Sequence, residues 1–187
     1  MPKSTRTRSG ALNLAALTVL GVIGEGPTHG FAIVGLCGAD GQLGHVWRFS
    51  PAVVYRELAH LVDVGLVHED GVDTDGPGPA RTIVVITPEG EKVRSEWLAR
   101  PVQRARDVRS EFLLKLALLD RSNIDSGALL AVQREVMAQR SASLRDEIAA
   151  AAPGFERTLL LWRLTSTQAV VDFLSTVGAQ RAGQDPR

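Results

Sequence analysis

Tyr55 is the only tyrosine in the chain, and Arg56 follows it directly inside SPAVVYRELAHLVDVGLV, the stretch from Ser50 to Val67. A phenolic hydroxyl beside a guanidinium can hold a phosphate oxygen, and the guanidinium can also reach a guanine edge. Ser50 and the free N–H groups of a helix that begins at Pro51 add a second place for a phosphate. The residues between, Ala52 and Val53, are small enough to allow close approach and can touch thymine methyls. Other chemistries lack their residues. The four histidines, His29, His45, His60 and His68, have no metal-ligand spacing. No G-x-S-x-G elbow and no Gly-Lys-Ser/Thr phosphate loop occurs. The expectation is a binding protein rather than an enzyme, with no cofactor and no metal.

A helix must hold these groups. Ser50 is a good N-cap, Pro51 sits where its missing N–H costs nothing, and Gly65 supplies the stop. At about 100° per residue, Val54, Leu58, Leu61 and Val62 share the face expected to pack. Ala52, Val53, Arg56, Ala59, His60 and Asp63 fall on the far side or toward it, and Tyr55 lies at the border. A tyrosine at such a border also serves as a half-buried packing residue, and Arg56 as a solvated charge.

The flanking sequence supplies a frame. ALNLAALTVLGVIG, from Ala11 to Gly24, is apolar nearly all round and predicts a buried helix. GEGPT breaks it, and Thr28 can cap a second helix, HGFAIVGLCG. After the Ser50 helix, LVHEDGVD and RTIVVI flank the turn TDGPGPA and predict a hairpin. Thr87 and Pro88 then start TPEGEKVRSEWLAR, a fourth helix that Pro101 ends. Three helices followed by a hairpin is the order of a winged helix–turn–helix.

From Asp107 onward the chain reads as three helical pieces. DVRSEFLLKLALLD carries Phe112 and Leu116. A segment from Asp125 to Ala151 places Leu130, Met137, Leu144 and Ile148 near a seven-residue rhythm. The last piece, Phe155 to Val177, has two apolar lines. One holds Leu159, Trp162, Ser166, Val170, Phe173 and Val177, and the other Leu160, Leu164, Val171 and Leu174. So broad an arc suits a helix buried in its own bundle or one that also meets a second copy of the chain, and the second reading is preferred. The expected dimer-interface residues are Phe112, Leu116, Leu159, Trp162, Val170, Phe173 and Val177.

Composition sets the bounds. Of 187 residues, 44% are hydrophobic and 22% charged, ordinary proportions for a globular protein. The 21 basic and 21 acidic residues cancel, so any attraction for nucleic acid must be a local patch. Lys3, Arg6 and Arg8 form a short basic arm that suits a phosphate backbone if it is not simply solvated. The one cysteine, Cys37, forms no intrachain disulfide and reads as a small buried hydrophobe, which fits a cytoplasmic location. No apolar run reaches the ~18 residues that span a membrane, and no export signal is apparent. The expected divisions are 1–10, the basic arm; 11–100, the winged helix–turn–helix; 101–180, a helical dimerisation domain; and 181–187, a tail. The fold class is mainly α with a small β-hairpin.

Three stretches carry a resemblance. GPTHGFAIV (Gly26 to Val34) is similar to G-P-x-H-G-Y-E, SPAVVYRELAHLVDVGLV to S-P-G-x-I-Y-R-x-L-x-x-L-x-x-x-G-L-[IV], and GPARTIVVITPEG (Gly78 to Gly90) to G-x-x-[RK]-x-Y-Y-x-L-T-x-x-G. Together they resemble the PadR family of bacterial transcriptional regulators, and FLLKLALL with the helices after it resembles the C-terminal region of the family's larger members. The resemblance spans about residues 11 to 180. It implies a dimeric regulator, usually a repressor, with an N-terminal DNA-binding domain and a C-terminal helical dimerisation domain. Position by position it implies DNA contacts at Ser50, Tyr55, Arg56 and Arg81, with His29 as a further phosphate contact or a capping residue. The full expected DNA-binding set is Thr28, His29, Arg48, Ser50, Pro51, Ala52, Val53, Tyr55, Arg56, His60 and Arg81. The chain departs from the pattern at Phe31 (Tyr in the family), Ala32 (Glu) and Ala52 (Gly). Its wing strand is TIVV, with Arg81 as the one base, and Glu69, Asp70, Asp73 and Asp75 oppose it.

The expected function is a dimeric, ligand-responsive repressor on a pseudo-palindromic double-stranded operator. Trp97 and Trp162 are candidates for lining an effector pocket, and either also serves as a core or interface anchor. The acidic wing motivates an alternative, a module whose winged helix and C-terminal helices bind a protein partner.

Overall fold

The computed structural model describes residues 12–74 and 79–182. The basic arm with Lys3, Arg6 and Arg8, the hairpin turn with Asp75, and residues 183–187 of the expected tail lie outside the described residues. The chain forms two compact units, Met1–Leu98 and Ala99–Arg187.

In the N-terminal unit, α1 (Leu14–Ile23) starts three residues later than Ala11 because Asn13 caps it, its Oδ1 accepting from Ala16 N at 2.9 Å. The helix is buried over most of its circumference, as its uniform apolarity requires. β1 (Thr28–His29) and α2 (Gly30–Cys37) follow. The cap of α2 is His29, not Thr28. Thr28 and His29 pair with Val84 and Ile83 of the wing strand, so the chain stays extended through His29 and turns only after it. His29 Nδ1 accepts from Ala32 N at 3.1 Å.

α3 (Pro51–Asp63) packs against α1 and α2. Ser50 Oγ accepts from Val53 N at 3.4 Å, and Gly65, at φ +76°, takes the left-handed conformation that ends the helix. Leu66 N then donates to Leu61 O and Gly65 N to Val62 O, the paired bonds of a Schellman terminus. β2 (Val67–Asp73) and β3 (Arg81–Ile86) are antiparallel, with an irregularity between Glu69 and Val72. The expected hairpin is thus part of a three-stranded sheet ordered β1-β3-β2. β1 is only two residues long, too short for any alternation to signal it. α4 (Pro88–Ala99) is mortised onto the end of α3: Thr87 N donates to Leu66 O, Thr87 Oγ1 donates to Gly65 O at 2.9 Å, and Gly90 N donates to Thr87 Oγ1 at 3.0 Å.

The C-terminal unit is helical. α5 (Ala105–Asp107) runs through a π turn (Val108–Phe112) into α6 (Leu113–Arg121). α7 (Gly127–Ala150) and α8 (Phe155–Ala182) form an antiparallel pair, with Arg181 Nη1 donating to Ser126 Oγ at 2.6 Å across their far ends. The seven-residue rhythm of α7 is its buried seam, where Leu144 and Ile148 meet Leu160 and Leu164 of α8. Gln133 and Ser141 are buried on α7 as well. The Gln133 amide grips the connector by both ends, accepting from Val102 N at 2.8 Å and donating to Val102 O at 2.9 Å. Lys115 is fully buried, donating to Arg100 O at 2.7 Å and pairing with Glu111 at 2.7 Å. Burial lowers its pKa, and the Glu111 carboxylate offsets only part of that.

Candidate nucleic-acid interface

The first turn of α3 is open. Ser50, Pro51 and Ala52 are exposed and Val53 is half-buried, so only small side chains flank the positive end of the helix, where Val53 N and Val54 N already donate to Ser50. Arg48 and His60 are exposed at either end of this surface.

Tyr55 is 49% exposed. Its ring leans on Gly30, where an added Cβ would stand 2.5 Å from Tyr55 Cε1. Glycine at the first position of α2 is what lets the ring settle there. The tyrosine is therefore packed on one side and open on the other.

A cleft lies between the outer side of α3, the start of α2 and the wing, with His29, Phe31, Tyr55, Val62 and Arg81 among its walls. The His29 and Phe31 rings stack with centroids 6.4 Å apart, and Arg81 Cζ sits 5.5 Å from the Phe31 centroid. With Nδ1 of His29 taken by the Ala32 N–H, Nε2 is the ring nitrogen left for a further partner. Tyr55, His29 and Arg81 are thus brought together. Thr28 is committed to the sheet, half-buried, and does not line the cleft. Arg48, Ser50 and His60 do not line the cleft.

The packing face of α3 differs from the expected one. Its buried residues are Val54, Glu57 and Leu61, while Leu58 and Val62 are half-buried and border the cleft. The seam is turned toward Glu57, which is absent from the expected set. Glu57 is 3% exposed, and its Oε1 accepts from Arg56 Nε at 3.0 Å, Arg56 Nη2 at 2.6 Å and Asn13 Nδ2 at 3.2 Å. Burial pushes this carboxyl up, but the hydrogen bonds from Arg56 and Asn13, with the positive charges of Arg56 and His60, hold it below the ordinary carboxylate value. The signal was present in the spacing, because Val54, Glu57 and Leu61 follow an i, i+3, i+7 pattern.

Phe31 is a second residue outside the expected set, exposed at 66% where the wing meets α2. The wing itself presents Glu69 and Asp70 to solvent, and Glu69 borders the cleft.

Residues 19–96 match the family model described as "Transcriptional regulator PadR-like family". Over those residues the winged helix is similar to the PadR-like family. Among solved structures, Bacillus subtilis PadR in complex with operator DNA is 21% identical, with 90% of this chain and 99% of that chain covered and a TM-score of 0.45. Bacillus subtilis PadR alone gives 20% identity, 92% and 98% coverage and a TM-score of 0.41. A protein of Streptococcus mutans UA159 gives 15% identity, 88% and 98% coverage and a TM-score of 0.41. No curated protein matches the chain. The PadR-like segment contains α2, α3, the wing and most of α4, and so every described residue of the candidate interface.

The remaining expected residues lie elsewhere. Trp97 is buried on α4. Phe112 and Leu116 are also buried and offer almost no surface to a second copy. On α8, Trp162 and Phe173 are exposed while Leu159, Val170 and Val177 are half-buried, and the other line, Leu160 and Leu174, is buried. Trp162 and Leu159 also wall a cavity of the C-terminal unit. Among the described residues, no cluster of His, Cys, Asp or Glu is placed to hold a metal ion, and no helix is long and apolar enough to cross a membrane.

Proposed function

We propose that this PadR-like regulator is a dimeric repressor that inserts α3 into the major groove of a pseudo-palindromic operator and leaves it when an effector binds. The placement of Tyr55 carries the reading: its ring rests on Gly30, it is half exposed, and it follows the open first turn of α3 with the exposed Arg56 next in sequence. The proposed DNA contacts are Ser50, Ala52, Val53, Tyr55 and Arg56 on α3, with His29, Arg48, His60 and Arg81 around them. The proposed seam between copies runs along the outward line of α8 through Val170, Phe173 and Val177. Two recognition helices in such a dimer read half-sites about one DNA turn, ~34 Å, apart. An effector that couples at ~1–3 kcal/mol suffices to move an operator from mostly occupied to mostly free.

Footprinting on the DNA upstream of the chain's own gene tests this. The expected result is a salt-sensitive footprint with two protected half-sites. No sequence-preferring binding under any salt condition would sink the repressor. The exposed Glu69 and Asp70 on the wing favour a second reading, a module that binds protein, and that reading would then stand in its place.

A further inference from the structure

One cluster of arginines belongs to the other unit. It lines a cavity of about 810 Å³ inside the C-terminal unit. Arg104, Arg106 and Arg109 reach it from the segment around α5, Arg140 from α7 and Arg163 from α8. No acidic side chain lines it. Arg140 is paired with Glu147 at 2.8 Å and Arg106 with Asp107 at 3.7 Å. Arg104, Arg109 and Arg163 have no ionic partner among the described residues, so three of the five guanidiniums are uncompensated in a chain whose net charge is zero. Leu144, Leu159 and the 69%-exposed indole of Trp162 give the wall an apolar side, and Gln103, Ser166 and Thr167 add polar groups.

We propose that this cavity binds a nucleoside polyphosphate. Guanidinium groups grip phosphate oxygens two at a time, and a cleft lined by one sign of charge concentrates the opposite ion. Three uncompensated positive charges exceed what a monocarboxylate can neutralise and match a di- or triphosphate. The space far exceeds that of a phosphate chain and lies within the range of small-molecule sites. A flat group stacked on Trp162 fills the rest. An uncharged aromatic leaves the arginines unmatched, and a bare polyphosphate leaves the indole unmatched. The site gives a chemical class to the effector of the reading above and rests on that half of it alone.

The test uses the full chain without DNA. Calorimetric titrations with ATP, adenosine and inorganic triphosphate are compared. ATP is expected to saturate one site per chain, adenosine to give no measurable heat, and triphosphate to bind about tenfold more weakly than ATP, one stacking contact being worth roughly that factor. Arg104→Ala with Arg109→Ala should lower ATP affinity at least about tenfold. Trp162→Ala should reduce ATP to the level of triphosphate and leave triphosphate unchanged, while Arg134→Ala, on α7 outside the cavity, should change neither. Circular dichroism of each variant should retain the wild-type helical signal. Absence of ATP saturation at millimolar concentration overturns the proposal. So does equal affinity for ATP and triphosphate with no effect of Trp162→Ala, which describes a charge patch only. An arginine variant that loses operator binding but keeps ATP binding assigns the cluster to DNA and overturns it as well. A chain that binds its operator but not ATP keeps the repressor and loses only this site.

Discussion

The guanidinium of Arg56 closes on the carboxylate of its neighbour Glu57, with Nη2 at 2.6 Å and Nε at 3.0 Å from one oxygen. Adjacent helix residues do not normally face each other. Here Glu57 is buried beneath the helix while Arg56 stays 66% exposed, so the arginine folds back over the edge and is held from below. The same oxygen takes the Asn13 amide, which ties α3 to the cap of α1. Arg56 is thereby fixed in direction, and part of its charge is already answered before any phosphate arrives.

Glu57→Gln should therefore cost about 1–3 kcal/mol of unfolding free energy near neutral pH, the worth of a hydrogen bond to a charged group. The folded-state pKa of Glu57 is depressed, so its contribution is complete above the ordinary carboxylate value and is lost as pH falls through the folded value. Urea melts of wild type and variant should differ at pH 7 and converge in acid. A gap that persists unchanged at low pH would show that the charge is not the stabilising element.

Tyr55→Phe should weaken operator binding by ~1 kcal/mol and leave the melting temperature unchanged, because only a hydroxyl at the open edge is removed. Gly30→Ala should act in the same direction by a different route, since the new Cβ meets the ring that Gly30 now accommodates. Gel shifts against the footprinted site read both. Unchanged affinity for Tyr55→Phe would leave the tyrosine a packing residue.

The wing offers a change of opposite sign. Glu69→Gln with Asp70→Asn removes two exposed negative charges from β2. If the wing approaches the duplex, affinity rises by about fivefold at low salt for a charge within some 4 Å of a phosphate, and the gain fades as salt screens it. Equal binding across a salt series would place the wing away from DNA.

On α8, Phe173→Glu puts a charge into the outward apolar line. If Val170, Phe173 and Val177 form the seam, burying that charge costs about 2 kcal/mol or more, and sedimentation at micromolar concentration shifts from dimer to monomer. An unshifted dimer would move the seam elsewhere.

Much of the fold is legible residue by residue. Ser50, Pro51 and Gly65 bound α3 through local chemistry alone, and the period of Leu130, Met137, Leu144 and Ile148 gives the buried seam of α7. What escaped the sequence depends on partners distant in the chain. Thr28 looks like a cap until Val84 is seen to hold it in a strand. Glu57 drew no reading from the sequence, and its role depends on Asn13, 44 residues away, which donates to its oxygen. Trp97 and Trp162 are one residue type with opposite fates, the first buried at 6% exposure and the second open at 69%. Only the surrounding elements separate them. The same holds for the arginines of the C-terminal unit, which are scattered over sixty residues of sequence and gathered only when α5, α7 and α8 pack.

The joint around Thr87 has a mechanical consequence. Its backbone N–H and its hydroxyl both fasten to the terminus of α3, while the hydroxyl also receives the first turn of α4. Two helices joined at so short a hinge cannot swivel independently. A displacement of α4 is therefore passed through Thr87 to the end of α3, and so to the residues proposed to meet the base pairs.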